Sequence, residues 1–107
     1  MTVLIDQSDN LTVVEGMDAT LFCKFQSDLA IFTKWLRTTR KDFDPKDPKS
    51  FKFLEDKNQQ PFVGEQLTIE KVQLNDSGLI ICAGQTNSGM TPGFLSLKVN
   101  DLKNVLD

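Results

Sequence analysis

The chain has no histidine and no tyrosine, no apolar run long enough to span a bilayer, and no apolar leader at its start. Without histidine it lacks the commonest metal ligand and the commonest general base at neutral pH, so an enzyme is not expected. Cysteine is scarce as well. Two copies, Cys23 and Cys82, are too few for a thiolate metal site without histidine. A formal net charge of −3 over 107 residues argues against a nucleic-acid partner held by bulk positive charge. The missing apolar run argues against direct membrane insertion. No metal and no cofactor are expected.

What the cysteines offer instead is one long-range disulfide, worth roughly 4 kcal/mol by loop-entropy reasoning. Such bonds persist in oxidising compartments, so the expected home is extracellular, in a piece of a longer cell-surface or secreted protein. The sequons Asn10-Leu11-Thr12 and Asn75-Asp76-Ser77 are compatible with secretion and make Asn10 and Asn75 candidate glycosylation sites. The length allows one domain around one core, residues 1–100, with 101–107 as a linker or tail.

Residues 67–82, L-T-I-E-K-V-Q-L-N-D-S-G-L-I-I-C, carry the densest local signal. Leu67 and Ile69 alternate with polar neighbours as in a half-buried strand, Val72 arrives one residue late, and Asn75 to Gly78 supplies a turn. A second strand then carries Cys82. Upstream, residues 2–5 and 11–14 read as a broken first strand. Residues 19–26 read as a strand with Ala19, Leu21, Cys23 and Phe25 on one side. Residues 31–37 form another, with Trp35 inward. Residues 38–50, with two prolines and alternating charge, read as an exposed loop. Within it, Asp42, Asp44 and Asp47 interleave with Lys41, Lys46 and Lys49 as a solvated mixed-charge segment, without the glycine and terminal glutamate of a calcium loop. Residues 51–54 form a short strand, 55–65 a polar connection, 86–92 a hairpin loop, and 94–99 the last strand.

Seven or eight short strands in about a hundred residues, with frequent turns, point to an all-β two-sheet sandwich. Within it Trp35 lies between the cysteines, one strand and a loop after Cys23. With V-x-E-G at 13–16, L-x-C at 21–23, L-x-I-x-x-V at 67–72, D-S-G at 76–78 and Cys82, the chain resembles the I-set of the immunoglobulin superfamily. The resemblance implies a core of Leu21, Trp35, Leu67, Ile69 and Ile80 around the disulfide. Ile80 departs from the family pattern, which places a tyrosine there with its hydroxyl bonded to backbone. A basic partner for Asp76, Lys52 or Lys57, is also implied.

Three stretches, C-K-F-Q-S-D at 23–28, L-T-I-E-K-V at 67–72 and C-A-G-Q-T-N-S-G at 82–89, are similar to the third immunoglobulin-like domain of fibroblast growth factor receptors. That resemblance implies partner contacts from loops 26–30, 54–65 and 86–92, through Asp28, Lys57, Asn87 and Met90. Ordinary solvated loops would look the same.

Strand parity supplies a separate signal. With Cys82 and Trp35 inward, Phe32, Leu36, Leu79, Ile81 and Phe94 point outward on one sheet, where polar residues are usual. Either this apolar face meets a partner, a second copy of the chain among the candidates, or residues 38–50 fold Phe43 back over it. The function these features favour is a non-catalytic protein-recognition module of an extracellular receptor or adhesion protein. The competing class is an intracellular, sarcomeric or cytoskeletal spacer domain, in which the two cysteines would be free thiols.

Overall fold

Alternation in residues 19–26 and around Cys82 dictates strands with one buried side, and the computed structural model forms them. It describes residues 1–39 and 42–103. In chain order the strands are β1 Thr2–Gln7, β2 Leu11–Val14, β3 Ala19–Ser27, β4 Phe32–Thr38, β5 Phe51–Phe53, β6 Gln66–Ile69, β7 Gly78–Thr86 and β8 Gly89–Asn100. They make two sheets, β1-β3-β6 and β2-β8-β7-β4-β5, stacked as a sandwich. The broken first strand is divided between them: β1 runs antiparallel to β3, whereas β2 runs parallel to β8. Among the described residues no helix is long and apolar enough to cross a membrane.

The interior is built on the Cys23–Cys82 disulfide, which spans 59 residues and contributes about 4 kcal/mol through loop closure. Both half-cystines and Trp35 are completely buried, beside Leu21, Leu67 and Ile80; Ile69 packs half-buried against the same cluster. Burying an indole strands its N–H unless a partner is found. Here Trp35 Nε1 donates to the Gly64 carbonyl at 2.9 Å, which also ties the long 54–65 connection to the core. Ile80 keeps the burial of the expected tyrosine and makes no side-chain hydrogen bond.

Val72 reaches the core late because Lys71 adopts a left-handed backbone, φ 50°. The chain rolls there, and Val72 exchanges hydrogen bonds with Gly16 and Met17. At the same end the 3₁₀ turn Leu74–Asp76 precedes β7. Asp76 Oδ2 accepts from the Gln73 N–H at 2.7 Å and caps that turn. The expected pairing of Asp76 with Lys52 or Lys57 is not formed. Arg37 is the basic side chain at this corner, and it donates to the Asp76 and Ser77 carbonyls at 2.8 and 3.3 Å. A carboxylate occupied with its own turn leaves the cation to backbone oxygens.

The expected loop 86–92 is mostly strand. β7 and β8 pair from Gly78↔Leu97 to Thr86↔Gly89, leaving Asn87 and Ser88 as the whole turn. Pro92 is tolerated because β2 reaches only Leu97–Asn100, so β8 is the sheet margin at that height and no neighbour needs its missing N–H. Gly93 is required for space: a Cβ there would lie 2.6 Å from the Cys82 sulfur and 2.9 Å from Leu4.

Candidate interaction surface

The outer face of the five-stranded sheet is where the predicted partner residues collect. β4, β7 and β8 lie side by side, in the registers Leu36↔Ile81 and Ile81↔Phe94, so Leu36, Ile81 and Phe94 form a row across it. Leu36 and Ile81 are not exposed, however. Both are fully buried with Ala83 beneath Phe43, Phe51 and Met90, which corrects the reading of these two as accessible contacts. Phe43 is the lid of this second cluster. Its ring lies 5.7 Å from Phe51 and 6.0 Å, edge-on, from Phe94.

The lid stays in place because the segment carrying it is knotted rather than loose. Ser50 is completely buried, and its hydroxyl lies 2.8 Å from both the Asp44 and Asp47 carbonyls while accepting from the Asp44 N–H at 2.9 Å. Asp44 and Asp47 carboxylates each take a backbone N–H two residues on, from Lys46 and Lys49. These are the self-closing turns that Asp-Pro pairs favour. Two of them in a row, Asp44-Pro45 and Asp47-Pro48, were the sequence signal that this stretch is ordered. Lys41, part of the same mixed-charge segment, lies outside the described residues.

Around the lid the face is open. Phe32 is 61% exposed, Phe94 48% and Leu79 41%. Phe53 edges the rim, its ring 6.0 Å from Phe51 and under the Lys34 ammonium at 5.4 Å. The surface is therefore a covered apolar centre with Phe94 and Leu79 exposed beside it and Phe32 exposed farther along β4.

The loop residues fall in several places. Asn87 is exposed beside Phe32 on a hollow of about 340 Å³ bounded by Leu29, Lys34 and Gln85, whereas Asp28, also exposed, lines a separate depression with Met1, Val3 and Gln26. Asp28 holds the Met1 ammonium at 2.7 Å, and that hydrogen bond lowers its carboxyl below the ordinary value. Met90 belongs to β8 and packs into the Phe43 cluster, so it is a strand residue beneath the lid rather than a loop contact. Lys57 is exposed on the 54–65 connection at the lateral edge. Asn10 and Asn75 are both exposed. Asn10 Oδ1 accepts from the Ser96 N–H, and the Ser77 hydroxyl of the second sequon accepts from Val99 N–H.

No family model and no curated protein matches the chain. Solved structures do. One is the complex of the first immunoglobulin domain of Dpr11 bound to DIP-gamma, at 21% identity and TM-score 0.69, covering 92% of this chain and 47% of that one. Another is the titin M10–obscurin-like 1 immunoglobulin complex, at 14% identity and TM-score 0.63, covering 94% of both chains. The twitchin kinase region from C. elegans matches at 19% identity and TM-score 0.65, over 92% of this chain and 16% of that chain. The chain thus spans about half the length of the Dpr11-complex chain it matches. The chain's two sheets, of three and five strands, superpose on these domains: in fold, the chain is an immunoglobulin-like β-sandwich.

Proposed function

We propose that this chain is a non-catalytic protein-recognition module of an extracellular receptor or adhesion protein, of the I-set type, which binds through the rim of its five-stranded sheet. The observation that carries the reading is the exposure of Phe32, Phe94 and Leu79 on the sheet face whose centre Phe43 already seals. Exposed apolar side chains held on strands lose water at little conformational cost, which favours association. A partner protein or a second copy of the chain is the ligand class, and the Dpr11 and titin structures named above are both complexes of such domains. The end loops at Asp28 and Asn87 extend the surface as in the growth-factor-receptor resemblance. An extracellular setting rests on the disulfide, with Asn10 and Asn75 as carbohydrate sites and 101–107 as a connection onward.

The test is a pair of variants, Phe32→Glu and Phe94→Glu, in sedimentation of the protein alone and in a binding screen against extracellular domains. Self-association or partner binding should fall at least tenfold while the melting temperature stays within a few degrees. Unchanged binding in both variants would refute the sheet rim as the recognition surface. Free thiols at Cys23 and Cys82 in protein from its native source, shown by alkylation mass, would instead favour the spacer-domain class.

A further inference from the structure

The three-stranded sheet ends at β6, and the far margin of that strand is bare. Its hydrogen-bond parity follows from the pairing with β3. Cys23 N–H donates to the Glu65 carbonyl, so the bonded pairs continue at Leu21↔Leu67 and Ala19↔Ile69. Gln66 and Thr68 therefore turn their N–H and C=O groups away from β3, and among the described residues no backbone group takes them up. Two other margins are guarded in ways β6 is not: β1 carries a bulge between Leu4 and Asp6, and β5 is three residues long with Lys52 at its centre, while β2, like β6, is a plain four-residue edge. β6 has no bulge, proline or lysine.

Alongside this margin runs a groove of about 610 Å³, with residues 68–71 on one side and residues 55–58 on the other. The far wall is a closed hairpin. Glu55 bridges Pro61, Phe62 N–H donates to the Leu54 carbonyl, and Asp56 Oδ1 accepts from the Asn58 and Gln60 N–H groups. Phe62 and Ile69, both half-buried against the core, supply apolar surface between the walls.

We propose that this groove accepts one extended segment of a partner protein, added as a strand to β6. The unpaired donors and acceptors recur every second residue, the repeat of a strand backbone, and give hydrogen-bond complementarity for a peptide rather than for a globular surface. With the hairpin standing across the groove from β6, a segment laid there is bounded on both sides. Alternate side chains of the segment face Phe62 and Ile69, so its chemistry is an apolar residue at every second position. The site lies on the sheet opposite the Phe32–Phe94 rim, and the two proposals succeed or fail separately.

The experiment selects binders from a displayed library of random dodecapeptides on the intact protein, then measures the selected synthetic peptides. Thr68→Pro removes one outward donor while leaving the bonds of Leu67 and Ile69 to β3 in place. The expected result is at least tenfold weaker binding to Thr68→Pro. Single N-methylation along the peptide should then show losses with a two-residue period, on the unaltered protein. This second scan decides the matter should the proline variant fail to fold. Failure to recover any peptide, binding indifferent to Thr68→Pro in a folded variant, an N-methyl scan without that period, or self-association lost with Thr68→Pro would each overturn the proposal.

Discussion

Two apolar clusters share strand β7 and differ in how they come to be buried. Ile80 and Cys82 point into the sandwich, and Ile81 and Ala83 point the other way, yet all four are fully buried. The inner pair is covered by strands of the opposing sheet, whose own period-two pattern faces it. The outer pair is covered by Phe51 and Met90 at the strand level and by Phe43, which reaches over from an irregular segment pinned by Ser50. A sheet face can therefore be core at its centre and interaction surface at its rim. Distance from the lid makes the difference, since strand parity is the same.

The largest effect that would break this comparison is expected from Ile81→Glu. It places a carboxylate in the apolar cluster under Phe43, and should cost about 4 kcal/mol or abolish folding. A folded, stable Ile81→Glu protein in chemical denaturation would mean that the outer centre is not core. Gly93→Ala sharpens the inner side. Its methyl would collide with the Cys82 sulfur, and overpacking of this kind should cost about 1–3 kcal/mol, read from the denaturation midpoint. Asp76→Ala removes the cap of the 3₁₀ turn and should cost about 1 kcal/mol, leaving binding unchanged. Equal melting temperatures for this variant and the parent would remove the capping role.

Apart from Val72, which follows the roll after β6, the buried inner cluster was legible in the sequence because its residues sit on strands whose alternation names the buried side. Leu21, Cys23, Trp35, Leu67, Ile80 and Cys82 all follow from that rule. The outer cluster was legible only as a question. Parity put Leu36 and Ile81 on the outer face, but no periodic pattern reports whether a loop covers them. The answer lay in Asp44-Pro45 and Asp47-Pro48, whose turns order the segment and deliver Phe43. Glycine and proline misled in the opposite direction at residues 89–93. There they mark a sheet margin and a close approach to the disulfide rather than a loop. The partner of Asp76 was out of reach for a third reason: Arg37 is distant in sequence and bonds to carbonyls, which carry no side-chain signature.

The central claim, a sealed centre within an exposed apolar rim, can be read without altering the protein. In a nuclear magnetic resonance titration with a soluble paramagnetic agent, Phe32 and Phe94 ring signals and the Leu79 methyls should broaden strongly. The Leu36 and Ile81 methyls should be protected to the same degree as those of Leu21 and Ile80. Broadening of Ile81 and Leu36 to the level of Leu79 would contradict the account, for the lid would then not be closed.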